Sequence, residues 1–186
     1  AKLIDYIGLL AKWNKVHNLT AIRRQEQMIS HHLLDSLAIL PALEGKHKLL
    51  DVGSGGGLPG IPLALVESRL KVTLLDSSHK KTAFLRQSKA ELGLTNVEVA
   101  CARVEAWRPA EKFDVIVSRA FADLAEFAAS AGWLLAPGGQ LLAMKGVYPF
   151  EEIAALHPDF QVSKVVSLQV PGLDAARHLV ILNKAP

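Results

Sequence analysis

The chain has 186 residues, half of them apolar, with 21 Lys/Arg against 18 Asp/Glu and one cysteine. That length suits a single domain with a sizeable core. No apolar run reaches the roughly 18 residues a membrane helix needs, and the lone Cys101 excludes an internal disulfide. No charged-then-apolar leader with a cleavage site is visible, and one cysteine fits a reducing compartment, so the expectation is a soluble cytoplasmic protein. The chain begins at Ala1 rather than Met, which leaves room for processing or a truncated start. Residues 1–100 carry 13 Lys/Arg against 9 Asp/Glu, and residues 101–186 carry 8 against 9. This bias is compatible with nucleic acid and equally with an ordinary solvated surface.

Leu3, Ile4, Ile7, Leu10 and Ala11 recur at helical spacing, as do Ile29, Leu33, Leu37 and Leu40. They predict two amphipathic helices separated by the polar stretch Asn14 to Arg24. From Lys48 the rhythm changes to short apolar runs alternating with helical patterns. Strands are predicted at Lys48–Val52, Lys71–Asp76, Val97–Cys101, Phe113–Ser118, Gln140–Lys145, Phe160–Leu168 and His178–Asn183. Helices fill Pro59–Glu67, His79–Leu92, Leu124–Leu135 and Phe150–Leu156. Pro137-Gly138-Gly139 reads as a turn feeding the fifth strand. The alternation implies a mostly parallel seven-stranded sheet with helices on both faces. Only a turn at Pro171-Gly172 joins the last two strands, so they form an antiparallel hairpin. No linker or repeat divides the chain: 1–45 is a helical extension and 46–186 a cofactor-binding α/β core within one domain. Cys101, beside apolar neighbours at a strand end, is expected to be a small core residue.

The chemistry concentrates at Leu49-Leu50-Asp51-Val52-Gly53-Ser54-Gly55-Gly56-Gly57-Leu58-Pro59-Gly60. Strand, glycine loop and helix in that order is where α/β sheets hold nucleotide-like ligands. An NTPase phosphate loop needs Lys-Ser/Thr after its last glycine, and Gly60 is followed by Ile61-Pro62. The dinucleotide pattern G-x-G-x-x-G fits Gly55, Gly57 and Gly60 but starts two residues too far from the strand. A dehydrogenase would also need a substrate domain for which the chain has no room. The loop Gly53-x-Gly55-x-Gly57, with an acidic residue closing the next strand, is the arrangement of S-adenosylmethionine-dependent methyltransferases. Asp76 is placed to accept both ribose hydroxyls, because a carboxylate is acceptor-only; its plainer role is a charge at a helix N-terminus. After the third strand, Val104 could pack on the adenine and Glu105 read its amine.

Further motifs narrow the field. Asn14-Lys15-Val16-His17-Asn18-Leu19-Thr20, His31-His32-Leu33-Leu34-Asp35-Ser36, Ser118-Arg119-Ala120-Phe121, Met144-Lys145-Gly146 and Arg177-His178-Leu179-Val180 accompany the glycine loop. Together the chain resembles the bacterial small-subunit ribosomal RNA methyltransferase G family, over about Trp13 to Asn183. The resemblance implies a Rossmann-like class I methyltransferase that uses S-adenosyl-L-methionine. Its target would be N7 of a guanine in the 530 loop of 16S rRNA (guanine 527 in small-subunit rRNA numbering). The implied partner is 16S rRNA or the 30S subunit, with no membrane, no metal and a monomeric enzyme. Carried over by position, the cofactor contacts are Gly53, Leu58, Val104, Glu105 and Arg119; Ser54, Gly55, Gly57 and Asp76 come from the loop pattern. The family usually has slightly more sequence before the first helix.

Guanine N7 suits these residues. It has an in-plane lone pair and no proton to lose, so the enzyme needs orientation rather than a general base; orientation alone supplies roughly 7–11 kcal/mol. No catalytic residue is therefore assigned. Exocyclic-amine methylases carry an Asn/Asp-Pro-Pro-aromatic loop after the fourth strand, and Ser118-Arg119-Ala120-Phe121 offers no such acceptor. Cys101 follows the wrong strand for carbon-5 attack on a pyrimidine. An arginine paired to both O6 and N7 would block the attacking lone pair, so Arg119 is expected on the cofactor, on O6 or on a phosphate. Phe121 is a candidate to stack on the target base, with core packing equally open. Lys145, Arg177 and His178 are candidates for RNA phosphates. His31, His32 and Asp35 lack further ligands for a metal; a side-chain hydrogen bond from His31 to Asp35 is the simpler expectation. The rivals are a methyltransferase for another RNA position or a small molecule, and a cofactor-binding module without catalysis.

Overall fold

The computed structural model describes residues 1–186. Helix α1, Lys2–His17, buries Tyr6, Ile7, Leu10 and Ala11 along one stripe. It stops where Asn18 turns left-handed at φ 50°, a conformation asparagine tolerates. The Asn14 side chain then pins the following segment, donating to Ile22 O and accepting from Thr20 N–H at 3.1 and 2.9 Å.

The second predicted helix is not one regular helix. It divides into α2 (Gln25–Met28), a π-helical stretch (Ile29–Leu34) and α3 (Asp35–Leu37), followed by a 3-10 turn at Leu40–Leu43. The Asp35 N–H reaches Ser30 O, five residues back. A π turn takes up an extra residue, and such turns are common at functional sites.

The α/β part follows in the predicted order: β1 (Lys48–Val52), α4 (Gly60–Val66), β2 (Lys71–Asp76), α5 (His79–Leu92), β3 (Val97–Cys101) and β4 (Phe113–Ser118). Then come α6 (Leu124–Ala131), β5 (Leu135–Lys145), α7 (Phe150–Ala154), β6 (Phe160–Ser167) and β7 (His178–Lys184). The sheet order is β3-β2-β1-β4-β5-β7-β6. Strands β1 to β5 are parallel, and β7 runs antiparallel to both neighbours, so the terminal hairpin forms as expected. Strand β5 starts earlier than predicted. Leu135 pairs with Phe113 and Gln140 with Val115, so the Pro-Gly-Gly segment bulges out of a strand already begun. Gly138 there sits at φ 74°, which suits a residue without Cβ.

Alternate strand residues point to opposite faces, and each face has its own core. Leu49, Val72, Leu74, Val115 and Val117 join Tyr6, Leu10, Met28 and Phe84 on one side. Leu50, Val52, Leu75, Ile116 and Leu141 join Leu124 and Phe127 on the other. Helix α1 packs on α4 and α5, which brings the N-terminal helices over the carboxyl ends of the central strands. Cys101 departs from expectation: it is only half-buried, with Sγ 3.5 Å from His79 Nδ1, because β3 is an edge strand whose end is uncovered. No helix is long and apolar enough to cross a membrane.

Candidate cofactor and substrate site

Strand order reverses between β1 and β4, and ligands of open α/β sheets sit at such a switch point. The glycine loop leaves β1 there. Gly53 and Ser54 N–H groups both donate to Leu75 O at 2.8 and 3.1 Å, and Gly57 N–H donates to Ser54 O at 2.7 Å. Gly53 sits at φ 72°, and a Cβ on it would lie 2.6 Å from Ala120 Cβ. The two loops after β1 and β4 therefore approach to a separation only glycine allows.

Two buried polar groups support the loop from beneath. The Tyr6 hydroxyl donates to Gly56 O at 2.6 Å, so α1 grips the loop directly; burial pushes its phenol well above the ordinary range. Asp51 is fully buried and accepts from Gly60 N–H at 2.9 Å, at the start of α4. Its Oδ1 has no partner. Burial outweighs the Gly60 hydrogen bond and the Arg119 charge and pushes the carboxyl up to about 8.

Asp76 closes β2 and faces the loop. Oδ2 accepts from Gly55 N–H and Oδ1 from Ser78 N–H, each at 2.9 Å. A carboxylate has about four acceptor positions, so each oxygen keeps one free while its orientation is fixed by backbone. Asp76 thus orders the start of α5 and remains able to take two hydroxyl donors. Beside it opens a cleft of about 270 Å³ whose lining includes Gly53, Asp76, Lys81, Arg103, Val104 and Glu105. Gly53, Asp76, Val104 and Glu105 are thus brought together. Gly55 holds Asp76, while Ser54 (hydroxyl to Asp51 O), Gly57 and Leu58 shape the loop from behind.

The remaining candidates lie elsewhere or are already engaged. Arg119 precedes the cleft-lining Ala120, but its Nη2 lies 3.6 Å from Asp35 Oδ2, and its Nη1 is buried without a partner. Arg177 Nε lies 3.3 Å from the other Asp35 oxygen. Asp35 therefore binds two arginines instead of His31, whose Nδ1 faces Gln27 O and Ser30 Oγ. The π turn explains the correction, since the four-residue spacing assumed for His31 and Asp35 belongs to an α-helix. His32 is buried with Nε2 2.7 Å from Thr20 Oγ1; burial and the Arg119 charge push it down to about 4. Phe121 stacks on Phe127 at 5.1 Å, so one of its faces is core. Lys145 is not free for phosphate: its ammonium donates to Phe121 O, Ala122 O and Glu152 at 3.2, 3.1 and 2.8 Å. Three donors meet three acceptors, and the lysine ties the β4 loop to α7. His178 Nδ1 donates to Gly146 O at 2.7 Å, fixing its ring beside Tyr148. No group of three or more His, Cys, Asp or Glu side chains is disposed to hold a metal.

Sequence reasoning passed over Tyr6, Asp51 and Arg103, and it gave Asp35 only a local partner in His31. A signal existed for two of them. Tyr6 brings a hydroxyl to a mostly apolar helical stripe that ends in Asn14, and Asp51 is a lone carboxylate in a buried strand.

This strand order, with a glycine loop after β1 and an acid closing β2, defines a class I methyltransferase fold. Solved structures of that class superpose on it. A SAM-dependent methyltransferase from Aquifex aeolicus matches with TM-score 0.65 and 19% identity, over 84% of this chain and 92% of that one. The O-methyltransferase TomG from Streptomyces achromogenes, solved in complex with SAM, matches with TM-score 0.63 and 16% identity, over 98% and 90%. At those identities the likeness is one of fold. The sequence is more specific. The family model for rRNA small subunit methyltransferase G matches residues 1–180. Ribosomal RNA small subunit methyltransferase G of Laribacter hongkongensis is 59% identical over 181 residues, spanning 97% of this chain and 87% of that protein. Its counterpart in Neisseria meningitidis serogroup B is 57% identical over 183 residues, spanning 98% and 88%. The chain belongs to the rRNA small subunit methyltransferase G family.

Proposed function

We propose that this protein transfers a methyl group from S-adenosyl-L-methionine to N7 of a guanine in the 530 loop of 16S rRNA. The observation that carries the donor assignment is Asp76, a buried carboxylate that keeps one acceptor free on each oxygen at the mouth of the glycine loop. Two adjacent ribose hydroxyls match that pair. Gly53, where a Cβ would collide with Ala120, supports close approach of the ligand to backbone. Val104 and Glu105 line the cleft, and in this reading Val104 packs on the adenine while Glu105 accepts from its amine. When bound, the cofactor supplies an electrophilic methyl on a sulfonium.

The residues of this chain then have to orient the two reactants. N7 brings its own lone pair, and no proton has to be removed before attack. Arg119 and Arg177 stand on the side of the site walled by the N-terminal helices, and their charge suits RNA phosphate or a carboxylate. Lys81 and Arg103 at the cleft give RNA further cationic partners. We take residues 1–186 as one working domain, acting as a monomer in the cytoplasm, where its ribosomal substrate resides.

The test is transfer of labelled methyl to 30S particles lacking the modification, followed by mapping of the modified nucleotide. Label at guanine N7 in the 530 loop is the expected result. Label at another base, or only on free nucleosides, overturns this function.

A further inference from the structure

We propose that Asp35 is a positioning residue of the site: delivered by the π-helical turn of the N-terminal extension, it aims Arg119 and Arg177 together at the substrate side. The inference rests on the functional reading above and adds to it a residue that touches neither reactant.

Asp35 is 2% exposed, and each of its oxygens faces a different arginine, at 3.6 and 3.3 Å. The arginines come from distant parts of the chain, the loop after β4 and the start of the β7 hairpin. Both contacts are ion pairs rather than hydrogen bonds, since Asp35 Oδ1 has no hydrogen-bond partner, and the buried carboxylate draws the two guanidiniums together through charge. It also leaves the trio with one net positive charge. Both arginine side chains are 26% exposed, so part of that charge reaches the surface while its anchor is buried. Arg119 Nη1 has no protein partner, and a buried donor of that kind calls for an acceptor. Arg177 spends Nη1 on Ala176 O at 3.0 Å. Asp35 is the one acidic side chain within ion-pair distance of either arginine, and Asp51 is held by Gly60.

The π turn gives this arrangement its cause. The Asp35 N–H spans back to Ser30 O, and Ser36 Oγ donates to His32 O at 2.6 Å. With the widened turn clamped in this way, Asp35 reaches the arginines and not His31.

The test compares wild-type with Asp35→Asn and Asp35→Glu on 30S particles. S-adenosylhomocysteine binding, measured by calorimetry, reports the fraction of competent sites. Asp35→Asn should bind that ligand within about threefold of wild-type at full stoichiometry while kcat falls about ten- to a hundredfold, the scale of a misplaced catalytic contact. Asp35→Glu keeps the charge and should recover part of the lost rate. Wild-type kcat in Asp35→Asn overturns the inference. So does a loss of rate matched by an equal loss of binding sites, which would make Asp35 merely structural. If wild-type itself fails to methylate 30S particles, the functional reading falls instead.

Discussion

A carboxylate's value at this site depends on how many of its acceptors are already taken. Asp76 has one backbone donor on each oxygen and can still receive two hydroxyls; Asp51 is fully buried beneath the loop, with Oδ2 on Gly60 N–H and Oδ1 without a partner. Asp76→Ala should weaken S-adenosylhomocysteine binding by about 1.5–3 kcal/mol, the range for hydrogen bonds to a charged group. Isothermal calorimetry decides this, and unchanged affinity would remove Asp76 from the site. The position of Asp76 was legible in the sequence because an acid ending an apolar strand before a capped helix has few roles. Asp35 was not legible. Its sequence neighbours suggested a local partner, and only the folded chain brings Arg119 and Arg177 to it. Lys145 misled for a related reason: a basic residue at a strand end looks available until the carbonyls of Phe121 and Ala122 close on it.

Among the elements, strands were read more faithfully than helices. The central strands are short apolar runs written directly in residues 48–52, 71–76 and 113–118, as parallel strands buried on both faces require. The helix over 25–37 kept its apolar face but not its pitch, because a π turn preserves which residues are apolar while changing where they point. The bulge in β5 escaped because Pro137-Gly138-Gly139 signals a turn whether or not a strand has already begun. The contribution of α1 is the most local to test. Its Tyr6 hydroxyl meets a buried carbonyl of the glycine loop, and removing it leaves Gly56 O unsatisfied. Tyr6→Phe should cost about 1–3 kcal/mol of stability and loosen cofactor binding. Urea unfolding together with calorimetry measures both, and a variant unchanged in both would mean that α1 only covers the loop.

At the scale of the whole molecule, two buried groups tilt stability in opposite directions. Asp51 is raised from 3.8 to about 8, so the folded state holds a proton that the unfolded chain releases, and stability falls as pH rises through that window. His32 is lowered from 6.5 to about 4, so the unfolded chain holds the extra proton, and stability is lost as pH falls between those values. Between about pH 4 and 6.5 the two slopes oppose; above 6.5 only Asp51 acts. Thermal melts should therefore show stability level in the acid range and declining from pH 6.5 to 8, by at most about 1.4 kcal/mol per pH unit. Asp51→Asn should abolish the decline, and a variant that still loses stability over pH 6.5–8 would assign it to another group.

The tethering of Lys145 reaches beyond its own loop. Association with RNA expels condensed cations in proportion to the phosphates that a protein neutralises. An ammonium already saturated by two carbonyls and Glu152 contributes nothing to that count. The dependence of rRNA affinity on ionic strength will accordingly be shallower than a tally of basic side chains around the opening implies.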